Sequence, residues 1–193
     1  DEDGHKLQQY NRLLFCDSKK RIWAGGEMGI SVFNQVGTSL LPNTDFQIAS
    51  VLKQAFVNCF YETSSGYLWI GTRNGLFALK ESDKQFLQYT TENGLPSNVI
   101  YGILEDAYGR LWISTNQGLS CLNPESGKFR NFTIMDGLQG NQFNAGAYCR
   151  KDNGYMLFGG VNGITSFRPE TLIDNPYAPK PVINKLFVHN KEV

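Results

Sequence analysis

Histidine is nearly absent from this chain: there are two in 193 residues, His5 and His189, at opposite ends. A His-based metal site or catalytic triad therefore has little to build from. The four cysteines, Cys16, Cys59, Cys121 and Cys149, form no Cys-x-x-Cys pair, which excludes zinc-ribbon and thioredoxin-type arrangements. No apolar stretch approaches the roughly 20 residues of a membrane-spanning helix. The chain opens Asp1-Glu2-Asp3-Gly4, unlike a signal peptide. Neither sign of charge is in excess: 18 basic and 18 acidic residues give zero formal net charge. The longest run of one sign is Lys19-Lys20-Arg21, so the one-sided cation excess that nucleic acid demands is missing. Phosphate loops, Gly-x-Ser-x-Gly and His-Glu-x-x-His are also missing. No catalytic residue, metal or cofactor is assigned.

What is present is a folded composition, 41% hydrophobic and 13% aromatic, arranged as a repeat. The segments 21–33, 67–79, 110–122 and 155–167 align on Trp23, Trp69, Trp112 and Leu157, spaced 46, 43 and 45 residues apart. A period in the low-to-mid forties made of strand-like pieces is the signature of a β-propeller blade. Each unit reads as a strand, a polar turn with Gly, the Trp strand, a tight turn ending in Gly, a third strand, and a weaker fourth such as 86–89 or 129–132. Asn74-Gly75 and Asn162-Gly163 predict type I′ hairpins with positive φ at both central residues. The fold expected is all-β: a β-propeller of about four blades of four-stranded antiparallel sheets, forming a partial ring. Trp23, Trp69, Trp112 and Leu157 read as packing between blades. Leu40-Leu-Pro-Asn43 reads as a worn copy of the inter-blade loop seen at 91–98 and 135–144. Cys59, Cys121 and Cys149 lie among apolar neighbours and read as buried free thiols.

After Phe167 the repeat stops. The domain division expected is 1–170 for the partial propeller and 171–193 for a Pro-rich linker and the first strand of a following domain, 182–188. Glu105-Asp106 reads as a turn cap rather than an acid/base pair.

These residues resemble a known family. Asn93-Gly-Leu-Pro-Ser-Asn-Val99, Ile103-Leu-Glu-Asp106, Gly109-Arg-Leu-Trp-Ile113 and Gly118-Leu119 are similar to the two-component-regulator propeller repeat of bacterial hybrid sensors. The stretches 137–144, 158–164 and 167–170 resemble the closing blade of such a propeller, and 180–188 resembles the entry to its immunoglobulin-like domain. The resemblance implies a longer parent, with a membrane helix in the inner membrane, a histidine kinase and a fused response regulator for transcription. It places this segment in the periplasm and implies an oligosaccharide as the usual inducer. Asp152-x-Gly154-x-x-Leu157 also resembles the Asp-box hairpin of sialidase-like propellers, so a carbohydrate enzyme is one alternative. A structural or protein-interaction segment is the other. Four blades alone leave apolar faces open, which predicts a homodimer.

Propeller connectivity brings the loop entering each inner strand and the turn between the second and third strands to one face. That face collects Arg73, Gln117, Asn98, Asn141, Gln142 and Asn144, with Tyr101, Phe143 and Tyr148 nearby. Amides beside aromatic rings suit a sugar, and these six are the candidate ligand residues. The competing reading gives the Asn side chains to turns and loop caps.

Overall fold

A computed structural model describes residues 11–45, 47–80, 85–172, 187–188 and 191–192. Four antiparallel sheets follow one another along the chain, each in simple up-and-down order. The first comprises β1 (Asn11–Cys16), β2 (Arg21–Gly26), β3 (Gly29–Val36) and β4 (Ser39–Pro42). After α1 (Gln47–Val51) comes the second: β5 (Val57–Glu62), β6 (Tyr67–Thr72), β7 (Gly75–Lys80) and β8 (Gln85–Tyr89). The third comprises β9 (Ile100–Glu105), β10 (Leu111–Thr115), β11 (Gly118–Asn123) and β12 (Lys128–Phe132). The fourth has three strands among the described residues: β13 (Phe143–Arg150), β14 (Met156–Gly160) and β15 (Gly163–Phe167). Pro169–Thr171 forms a 3-10 turn, and the expected linker beyond Leu172, with the strand at 182–188 save for its last two residues, lies outside the described residues. Phe187–Val188 pairs there with Lys191–Glu192.

The sheets pack face to face as propeller blades, and the core is three clusters, one in each gap. Trp23 meets Phe60, Leu68 and Ile70 of the second blade. Trp69 meets Ile103, Leu111 and Ile113 of the third. Trp112 meets Phe143, Met156 and Phe158 of the fourth. All three indoles are 0–2% exposed. Burying some 200 Å² of ring contributes about 5 kcal/mol gross per tryptophan. Leu157, at the same register of the fourth sheet, faces no further sheet among the described residues and is half-buried. Strands enclosed on both sides cannot alternate: β9 and β10 are buried at all but one position.

Two local expectations are corrected. Leu40–Pro42 is not part of a loop but belongs to β4, paired Phe33↔Pro42 and Asn34↔Leu41. The real connection carries α1; Ile48 within it and Leu52 just past its end, one turn apart, are each 1% exposed and anchor in the first cluster. The hairpins are also not type I′. Lys20 is the one non-glycine with positive φ among the described residues, so Asn74 and Asn162 do not adopt it. The positive φ falls on the next residue, Gly75 (117°) or Gly163 (127°). That fits a tight turn closed by a left-handed glycine. The hydroxyl of Thr72 fixes the turn by accepting from Asn74 N at 2.9 Å and donating to Gly75 O at 2.8 Å. Thr115 does the same for Gln117 and Gly118.

Candidate functional site

The turns after β6 and β10 meet the loops that enter the next inner strands, and the turn after β14 meets the loop that enters its own sheet. Gly75 N donates to Asn98 O, Gly118 N to Asn141 O, and Val161 N to Gln142 O. Turns and loops therefore share one end of the sheets, the amide-rich end. Glycine is required at 118 twice over: φ is 115°, and a Cβ would lie 2.3 Å from the Phe132 carbonyl oxygen. Each entering loop begins with a 3-10 turn, over 91–93 and 134–136. Reciprocal capping by Thr90 with Asn93 and by Thr133 with Asp136 holds the two turns.

All six candidate residues lie at this end, in two structural conditions. The side-chain oxygen of Asn98 accepts from Thr91 N, and that of Asn141 from Ile134 N, both at 2.8 Å. These two amides pin their own loops. Gln117, Gln142 and Asn144 are exposed, with no side-chain hydrogen bond to the described residues. Arg73 is exposed and lays its guanidinium over the Phe56 ring, 3.7 Å from the centroid, while its N–H donates to Phe56 O. Arg12 also reaches Phe56, at 5.5 Å, and pairs with Glu27. Sequence reasoning missed Phe56, because nothing in its neighbours marks it as a platform. The aromatic partners proposed for this end are mostly closed off. Phe143 is 1% exposed, edge-on to Phe158. Tyr148 lies flush on the backbone of Gly102, and burial pushes its phenol up from the ordinary value. The most exposed apolar groups here are Met135 (90%), Val161 (57%) and Ile134 (54%).

At the other end of the sheets a carboxylate organises the turn in the first and third blades. Asp106 accepts from Tyr108 N, Arg110 N, Arg110 Nε and Trp112 Nε1 at 2.7–3.0 Å. Asp17 repeats this with Lys19, Arg21 and Trp23 at 2.6–3.0 Å. Burial raises the Asp17 carboxyl, but the bonds from Trp23 and Arg21 outweigh it and hold it below its ordinary value. Asp106 is thus the turn cap expected from its place in the sequence, and it also locks the indole. In the second blade Thr63 replaces the Asp and Tyr67 the Arg. Glu105 has a different role from its neighbour: it crosses to the preceding blade and accepts from Ser64 N and Oγ at 3.0 and 2.9 Å. Glu62 grips Ser18 in the same way, at 2.7 Å twice. In the fourth blade Arg150 instead donates to Glu105 O at 2.8 Å.

The cysteines divide unevenly. Burial pushes the Cys59 thiol up to about 12 and the Cys121 thiol to about 11, whereas Cys16 and, against expectation, Cys149 are exposed. Cys149 lies on the outer side of the fourth sheet beside Leu157, where no described sheet covers it. Among the described residues no group of three or more His, Cys, Asp or Glu side chains is placed to hold a metal ion. No helix among them is long and apolar enough to cross a membrane.

The sequence profile of the family described as "Two component regulator propeller" matches residues 52–74 and 94–117. Each match starts just before an inner strand and ends at a Trp-strand turn. Two stretches of the chain carry the two-component regulator propeller repeat. Histidine kinase P4 of Formosa agariphila is 31% identical over 188 residues, 94% of this chain and 14% of that protein. Among solved structures, one similar fold is the extracellular domain of a protein described as a hybrid two component system from B. thetaiotaomicron. It has a TM-score of 0.81 at 26% identity, covering 95% of this chain and 25% of that one. A second extracellular domain of that description from the same organism has a TM-score of 0.63 at 25% identity, covering 82% of this chain and 23% of that one. The propeller repeats described here therefore span about a quarter of those extracellular domains and a smaller share of the kinase.

Proposed function

We propose that the chain is an extracytoplasmic sensor segment of a hybrid two-component protein, binding an oligosaccharide at its amide-rich end and relaying occupancy to a histidine kinase elsewhere in the parent. The observation that carries this reading is the set of exposed polar side chains at this end: Arg73 and Gln117 on hairpin turns, Gln142 next to a pinned loop and Asn144 at the start of β13. Loops pinned by Asn98 and Asn141 lose little entropy when they bind a ligand. Fixed amides offer paired donors and acceptors to sugar hydroxyls. The similarity to extracellular domains of hybrid systems supports the placement outside the cytoplasm. On this reading the segment carries no reaction of its own. Leu14 on the first sheet (74% exposed) and Ile164 on the fourth (66%) support a further contact there, with a second copy as the partner we propose.

The test is Arg73→Gln with Asn144→Ala in the parent kinase, reading induction by oligosaccharides from polysaccharide breakdown. Loss of response with an unchanged melting curve is the expected result. A full response from the double variant overturns the reading and favours a structural or protein-interaction role.

A further inference from the structure

Away from the amide-rich end, the second and third blades leave a crevice of about 270 Å³ between them. Its walls include Tyr67, Trp69 and Tyr89 from the second blade, and Glu105, Asn123 and Glu125 from the third. Among the described residues the lining contains no lysine or arginine. The corresponding crevice between the first and second blades is smaller, about 200 Å³, and is occupied by charge: Asp17, Lys19, Arg21 and Lys80 surround Trp23.

The repeat explains the contrast. In the first and third blades the indole N–H donates to a carboxylate, from Trp23 to Asp17 at 2.8 Å and from Trp112 to Asp106 at 2.9 Å. The same carboxylate holds an arginine. In the second blade the carboxylate is replaced by Thr63, whose hydroxyl is spent on Tyr67 N and O, and the arginine is replaced by Tyr67 itself. Trp69 Nε1 is left buried with no acceptor. An unpaired buried donor is costly and rare, so a ligand that brings an acceptor gains the interaction that the chain withholds.

The walls state what the ligand must offer. It needs an acceptor for the indole N–H, a donor for Glu125, and a flat C–H face for Tyr67 and Tyr89; the Asn123 oxygen is already taken by Glu125 N and Ser126 N. An anion would meet carboxylates with no cation among the lining residues. An organic ammonium would satisfy the rings but give the indole nothing. A hydroxyl both donates and accepts, and a pyranose ring adds the apolar face. We propose that this crevice is a second binding site, separate from the amide-rich end, that takes one neutral pyranose unit through a hydrogen bond from Trp69 Nε1.

The test follows the three indole N–H resonances of the ¹⁵N-labelled chain while cellotriose, xylotriose, mannotriose and galactotriose are added in turn. The expected result is that at least one trisaccharide shifts Trp69 and leaves Trp23 and Trp112 in place. Trp69→Phe weakens that binding about fivefold, the worth of one neutral hydrogen bond. Thr63→Asp supplies an internal acceptor, abolishes the shift, and carries the test if Trp69→Phe fails to fold. A Trp69 signal unmoved by all four sugars overturns the proposal. So does a shift with tetramethylammonium instead, or full affinity in both variants. Arg73→Gln with Asn144→Ala separates this site from the amide-rich one: the Trp69 shift persists if the crevice binds independently, and its disappearance refutes a separate site.

Discussion

Replacing Asp106 with alanine removes a carboxylate whose side chain is 0% exposed and which accepts four hydrogen bonds. The losses are unequal. Tyr108 N lies on an exposed turn and finds water. Arg110, with its side chain 31% exposed, recovers part of its solvation. Trp112 Nε1 cannot, because the residue is 2% exposed and packed on Phe132 and Phe167. Breaking a buried pair by removing one partner costs about 3–5 kcal/mol, and the partial exposure of Arg110 sets the expectation at the lower end, about 3 kcal/mol. In urea, with a slope near 2 kcal/mol/M, the midpoint falls by about 1.5 M, followed by tryptophan fluorescence. The second blade supplies a control within the same chain. Asp106→Thr with Arg110→Tyr copies Thr63 and Tyr67, and it removes the stranded cation along with the carboxylate. The double variant is therefore less destabilised than the sum of its parts by about 1 kcal/mol or more. A loss under about 1 kcal/mol in Asp106→Ala, or strict additivity in the pair, refutes the lock.

Two further outcomes follow from the same geometry. Gly118→Ala costs about 3 kcal/mol in urea unfolding, because it combines a 115° φ with a Cβ placed against the Phe132 carbonyl; Gly137→Ala, at 92° in open space, costs about 1 kcal/mol, and equal losses would contradict this. Ellman's reagent near pH 8 titrates Cys16 and Cys149 quickly in the folded chain and reaches Cys59 and Cys121 only after unfolding; rapid reaction of all four thiols would contradict the burial of the latter pair.

The blade architecture was legible because its signals are large side chains at fixed spacing. An indole every 43–46 residues needs a gap of constant size to fill, and the glycine closing each tight turn needs a φ that other residues avoid. The parts that were not legible depend on partners distant in sequence. Ile48 and Leu52 make α1 through packing on Trp23 and Phe60, and five residues have too little periodicity to announce a helix. Asp106 reads as a turn cap from its place in the sequence, but its bond to Trp112 emerges only when the strand brings the indole back over the turn. Amide-rich loops advertise hydrogen bonding without saying to whom. Asn98 and Asn141 spend their oxygens on Thr91 and Ile134, whereas Gln142 and Asn144 keep theirs for solvent.

The grip of one blade on its predecessor has a kinetic consequence. Ser18 and Glu62 are 44 residues apart, Ser64 and Glu105 are 41, and Arg150 and Glu105 are 45. Every such closure spans about one repeat and none spans two, so loop-closure entropy is nearly the same at each step. Assembly then advances as a zipper, each sheet setting only when the next inner strand arrives to seize it. During synthesis a completed sheet stays unlatched until about twenty more residues follow, as from Pro42 to Glu62 or from Phe132 to Arg150.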